Sequence, residues 1–178
     1  MNSRINLLFW FFNRLLFQAD QSQNISTSAS PFLCAQLNLQ VAKVILDIEE
    51  EFTVGHYTYL TSSSPTSPFA VVFEDNKETG YFYATNTAPT LEIPDALHIY
   101  NVLNVEDRYK PSKIQLVWSD GGTIASLLIN SYCHAVFDFE KRAGYCRNGF
   151  PQTNSEWTLM KERTLNDTLI EEIFRNNK

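Results

Sequence analysis

The chain is poor in the residue types that carry most recognisable chemistry. Its 178 residues include three cysteines, three histidines, six glycines and two methionines. Cys34, Cys133 and Cys146 are odd in number and show no CxxC spacing, which argues against a disulfide scaffold and against a zinc knuckle. A reducing compartment is the simpler reading, and a Cys133–Cys146 bridge stays open only for an exported chain. The glycines build no GxGxxG, P-loop or GxSxG elbow, and HExxH is missing, so the common nucleotide, serine-hydrolase and zinc-protease signatures are excluded. Lys and Arg total 14 against 20 Asp and Glu, for a net charge of −6. Lys141-Arg142 is the only adjacent basic pair. Without a basic cluster to neutralise phosphates, nucleic acid is disfavoured as a partner. Internal repeats are lacking as well.

Long hydrophobic runs are also scarce. The strongest, Ile5 to Phe12, is interrupted by Asn13-Arg14. It is far short of the roughly 20 apolar residues that span a bilayer. With Arg4 before it, the stretch resembles a secretory signal in two of three features, but Phe17-Gln18-Ala19 is a poor cleavage site. Membrane association is expected only through this segment, if at all. Gln18 to Ser30, rich in Ser, Gln and Asn, reads as a linker. The expected organisation is therefore an N-terminal segment and linker, residues 1–30, followed by one domain, residues 31–178. The expected location is cytoplasmic, or exported if residues 1–19 act as a signal.

What the chain does have is aromatic and β-branched residues in alternation. Apolar residues make up 44%, with thirteen Phe and eight Tyr, a composition suited to a pleated, half-buried sheet. Residues 69–74 and 80–84 flank Asp75-Asn76-Lys77-Glu78 and read as a hairpin. Residues 33–52 read as strand, 61–68 as a loop, and Leu97 to Leu103 as a strand or a short helix. In "KIQLVWSDGGTIASLLIN" an even-sized turn puts Ile114, Leu116, Trp118, Ala125, Leu127 and Ile129 on one face. A loop at Asp120-Gly121 pairs Trp118 with Thr123; one at Gly121-Gly122 pairs it with Ala125. A three-residue turn at 130–132 then places Cys133, Ala135, Phe137 and Phe139 on that face, and His134, Val136 and Asp138 on the other. At the end, Thr164 reads as an N-cap with Asp167 three residues on. The stripe Leu165, Leu169, Ile170, Ile173, Phe174 follows. The fold class is α+β: an antiparallel sheet of about five or six strands built from hairpins, with a C-terminal amphipathic helix packed on one face.

Candidate chemistry is thin. Cys133 and His134 point to opposite faces of a strand and form no nucleophile–base pair, whereas a Cys146–His134 pair across a turn is geometrically open. His56, His98 and His134, with Asp95 or Asp138, could hold a metal only by long-range convergence; "SDGG" reads as a hairpin turn. No cofactor is expected.

Three strings, "VVFEDNKETGYFYA", "DALHIYNV" and "LVWSDGGTIASLLINSYCHAVFDFEKRAGYCRNGFP", resemble a small bacterial family of uncharacterised proteins, a domain of unknown function, over roughly residues 52–158. The resemblance implies a bacterial origin and a domain that stands alone. It transfers no activity and no catalytic residues.

Two functional classes remain. One is a non-catalytic protein-binding module, immunity- or inhibitor-like, with a protein partner held by exposed aromatic and acidic residues; its candidates are Tyr81, Tyr83, Asp120, His134, Asp138 and Arg147. The other is a small hydrolase or metal-dependent enzyme using His98, His134, Asp138 and Cys146, with Arg147. The second requires that at least three of these converge in one pocket.

Overall fold

The computed structural model describes residues 4–6, 43–88, 90, 92–148, 157 and 163–176. Along them run β1 (Arg4–Asn6), β2 (Lys43–Phe52), β3 (Thr58–Ser63), β4 (Phe69–Asp75), β5 (Thr79–Asn86), β6 (Asp95–Asn101), β7 (Ser112–Ser119), β8 (Ile124–Ile129), β9 (Tyr132–Asp138), β10 (Ala143–Cys146) and helix α1 (Asp167–Asn176). The remainder of the N-terminal segment and its linker, and residues 33–42 of the first expected strand, lie outside the described residues.

Burial along β7 to β10 sets the architecture. Ile114 to Ser119 are buried at every position, and so are all four residues of β10. A strand buried on both faces needs a cover on each side. The sheet β1-β2-β7-β8-β9-β10 is accordingly the middle layer. On one face Ile114, Leu116, Trp118, Ala125, Leu127, Ala135 and Phe137 meet Leu60, Val71, Phe73, Phe82 and Leu97 of a second antiparallel sheet, β3-β4-β5-β6. On the other, Ile124, Cys133, Val136, Ala143 and Tyr145 meet the helix stripe Leu165, Leu169, Ile170, Ile173 and Phe174. The α+β class, the antiparallel sheet and the helix on one face are those expected. The four strands β3 to β6 form a separate sheet and do not extend the first.

Local chemistry explains each register. Trp118 pairs with Ala125 and Leu116 with Leu127, the register expected for a loop at Gly121-Gly122. Gly122, at φ +66, closes that turn, and Ser64 and Thr66 donate their hydroxyls to the carbonyls of Gly122 and Gly121. In the β4–β5 turn, Asn76 Oδ1 accepts the Glu78 and Thr79 N–H groups.

Three details depart from expectation. The β8–β9 turn has two residues, Asn130 and Ser131, both at positive φ, so Cys133 pairs with Leu128 and belongs to the helix-side cluster. A bulge at His134 then restores Ala135 opposite Leu127. Residues 61–63, expected as loop, are the end of β3. Ser62 is tolerated in the core because Trp118 Nε1 donates to its hydroxyl at 2.7 Å and that hydroxyl donates to Asp47 at 2.7 Å. The helix starts two residues later than expected. Thr164 bridges in parallel to Cys146, and Asn166 caps instead, its Oδ1 accepting the Leu169 N–H at 2.8 Å.

The two sheets are stapled along their β6–β10 seam. Arg163 donates through Nε to the Gly144 carbonyl at 2.8 Å and through Nη2 to the fully buried Asp95 carboxylate. A side chain at Gly144 would collide with both partners. Asn148 adds a bond to the Ile99 carbonyl.

Two outcomes follow for urea unfolding. Asp95→Ala strands the Arg163 guanidinium in a low-dielectric seam and is expected to cost about 3–5 kcal/mol. Gly122→Ala, forced to positive φ against Ser64 and Thr66, is expected to cost about 1–3 kcal/mol; Gly121→Ala, which meets nothing within 4 Å, serves as the near-neutral control.

Candidate functional site

With the middle sheet covered on both faces, the outer face of the four-stranded sheet is the broad β surface on which polar and aromatic side chains gather. Antiparallel pairing carries one row across all its strands. Tyr59 on β3 lies opposite Glu74 on β4, Glu74 opposite Tyr81 on β5, and Tyr81 opposite His98 on β6. The next row is Thr61, Val72, Tyr83 and Ala96. Side chains in such rows are close enough to interact, and they do. The rings of Tyr81 and Tyr83 stack at 5.7 Å, and His98 meets Tyr81 edge-on at 5.0 Å. Tyr83 donates its hydroxyl to Glu74 at 3.2 Å. Partial burial, with the Glu74 charge beside it, pushes the Tyr83 hydroxyl up to about 12, so it stays a neutral donor. His98 Nε2 lies 3.1 Å from Asn101 Oδ1. Tyr59 at the row's end is 53% exposed.

Tyr81, Tyr83 and His98 were therefore brought together by the fold. Tyr59 and Glu74 were missed. Their signal was the Tyr57-Thr58-Tyr59 alternation, hidden because the following serines resemble a loop.

The other sequence candidates lie apart from this face; His134 and Arg147 are neighbours, the Arg147 N–H donating to the His134 carbonyl at 3.0 Å. Asp120 is exposed in the β7–β8 turn, its N–H donating to the Lys43 carbonyl at 3.2 Å. Asp138 is buried at the end of β9, where it accepts the Lys141 N–H and pairs with its ammonium at 2.8 Å; it holds the turn into β10. Cys146 is in the inter-sheet core and donates to the Asn148 carbonyl. Arg147 donates to the Cys133 carbonyl at 3.0 Å, pairs with Asp167 at the start of α1, and lies 4.4 Å over the Tyr132 ring. It ties β9 to the helix. His134 packs edge-on against Tyr132 at 5.2 Å. Cys133 and Cys146 are not joined to each other, and burial pushes Cys133 up to about 12, which leaves it protonated and a poor nucleophile. His98, His134, Asp138 and Cys146 thus share no pocket. Among the described residues, no three His, Cys, Asp or Glu side chains are grouped to hold a metal ion, and no helix is long and apolar enough to cross a membrane.

Beside the outer face, at the corner where β2 turns into β3, the chain leaves a shallow groove of about 450 Å³ whose lining includes Glu50, Glu51, His56, Tyr57 and Tyr59.

His134 gives a pH signature of the fold. Burial, with the Arg147 charge adding to it, lowers its pKa to about 4 from an ordinary 6.5. The unfolded chain then takes up the proton first as pH falls, so this contribution is complete above about pH 6.5 and is lost down to about pH 4. His134→Asn is expected to flatten the fall of stability across that window in urea unfolding; an unchanged slope would place the loss elsewhere.

A curated protein of Haemophilus influenzae, described as an uncharacterized protein, is 42% identical over 117 residues, 64% of this chain and 73% of the relative. No solved structure matches the chain. The model of the family described as uncharacterized protein conserved in bacteria, DUF2251, matches residues 52–174, from the end of β2 into α1. The chain belongs to that family.

Proposed function

We propose that the protein is a non-catalytic binding module, immunity- or inhibitor-like, that seats a protein partner on the outer face of its four-stranded sheet. The in-register row Tyr59–Glu74–Tyr81–His98, flanked by Tyr83, carries the reading. Tyrosines supply large rigid contact area at small entropic cost and are enriched among residues that dominate binding energy. Here they stand on strands, so their positions are set before a partner arrives. Glu74 adds a fixed charge, held by the Tyr83 hydroxyl. The groups that an enzyme would need are spent on turns and staples, which favours binding over catalysis. Two buried cysteines that are not bridged to each other suit a cytoplasmic location; export through residues 1–19 is the alternative.

The test is quantitative affinity capture of the tagged full chain from its native cells, beside Tyr81→Ala, with circular dichroism to confirm that the variant is folded. One stoichiometric partner is expected with the natural sequence, and recovery at least about tenfold lower with Tyr81→Ala, as for loss of a hot-spot tyrosine. Equal recovery would remove the face from the interface, and no partner would remove the binding reading.

A further inference from the structure

Among the described residues the four-stranded sheet has an open edge, and a groove runs beside it. β3 pairs only with β4 among the described residues, so its second edge offers unpaired backbone groups to an added strand. Tyr57 and Tyr59, 60% and 53% exposed, line the groove with Glu50, Glu51 and His56. Phe52 and Leu60, both buried, back a lining that is mostly polar.

The charges there are uncommitted. The neighbouring Glu49 is engaged by Lys113 at 2.9 Å and Gln115 at 2.7 Å. Glu50 and Glu51 are exposed and have no ion-pair partner among the described residues. Their backbone is not loose. The Gly55 N–H donates to the buried Asp75 carboxylate at 2.7 Å, Tyr100 donates to the same carboxylate at 2.8 Å, and Gly55 at φ +84 packs on Val102. The groove is preformed, which lowers the cost of binding.

We infer that this groove docks an extended, lysine- or arginine-bearing segment of the partner, laid along the free edge of β3. The inference rests on the protein-binding reading above and names the partner's chemistry. Glu50 and Glu51, in one lining with Tyr57 and Tyr59, attract a cation by charge and by the ring faces. A second copy of a chain with net charge −6 would be repelled there, and a nucleic acid more so.

The experiment is an NMR titration of the 15N-labelled full chain with an acetylated, amidated peptide alternating lysine and threonine, and with its glutamate-for-lysine counterpart. Shifts confined to residues 50–60 are expected with the lysine peptide alone, weakening as salt rises from about 50 to about 300 mM. Glu50→Gln/Glu51→Gln is expected to weaken binding about tenfold. Shifts spread over other carboxylates, an equal response to the glutamate peptide, or no effect of the double substitution would overturn the inference. The same residues shifting with protein concentration alone would identify a second copy as the occupant and overturn it too. Partner capture through Tyr81 is read independently: capture that survives a failed titration removes the groove alone, and a positive titration with capture unchanged by Tyr81→Ala removes the outer-face reading alone.

Discussion

The middle sheet is buried on both faces, and the rest of the molecule follows from that constraint. Trp118, Leu116 and Ile114 point one way and Val117 and Ser119 the other, yet all are buried. Water must be excluded from both sides at once, and a single helix covers one side only. The chain supplies the second cover itself by turning β2 through the Thr53–Tyr57 corner into β3 and folding four strands back over the sheet. Phe82 stacks on Phe137 at 5.1 Å across the interface, and Phe69 on Phe139 at 4.5 Å. A four-stranded cover has its own outer face, which nothing in this packing scheme requires to be apolar. Tyrosine, glutamate and histidine can therefore gather there without cost to the core.

Polar side chains inside the molecule serve the joints between layers. Asp75 is fully buried and accepts from the N–H groups of Gly55 and Lys77 and from the Tyr100 hydroxyl. Burial and that bond raise the Tyr100 hydroxyl far above the ordinary range. Asp95 and Arg163 close the β6–β10 seam. Asp47, Ser62 and Trp118 form a chain of hydrogen bonds across the β2–β3 corner. Arg147 and Asp167 fix the helix to β9. Each joint satisfies groups that would otherwise be costly to bury, and each consumes residues whose chemistry makes them tempting as catalysts. The same economy explains why Asp138 and Arg147, plausible in the sequence as site residues, are structural in their contacts.

Elements dominated by local alternation were legible in the sequence. The β7–β8 face, the β4–β5 hairpin and the helix stripe were readable because one periodicity governs each. What failed depended on partners far along the chain. β3 looks like a serine loop until Trp118 and Asp47 satisfy Ser62. Thr164 looks like a cap until Cys146 takes its segment into a bridge. Cys133 went to the wrong face because a tighter turn and a bulge cancel in parity: Ala135 and Phe137 come out right while the cysteine between does not. A second sheet was invisible for the same reason, since hairpins show which strands pair and not which pairs pack. For the candidate surface, Tyr81, Tyr83 and His98 could be named from residue type. The row that joins them to Tyr59 and Glu74 is a property of register across four strands, and no local window contains it.

The two surfaces stand differently toward the family. The matched span begins at residue 52, so Tyr59, Glu74, Tyr81, Tyr83 and His98 all fall within it, whereas Glu50 and Glu51 lie just before it. The tyrosine face is built on the strands that define the shared domain, and its geometry depends on registers that the core enforces. The groove takes its charge from the preceding stretch of β2, where Glu50 and Glu51 pair with Ile114 and Lys113 through the backbone and keep their side chains exposed. Two exposed carboxylates on such a strand can change without disturbing the core. On the proposed reading, a rigid aromatic face beside a separately adjustable charged groove would divide the work physically: the first would supply contact area, and the second would set which charge the partner must carry.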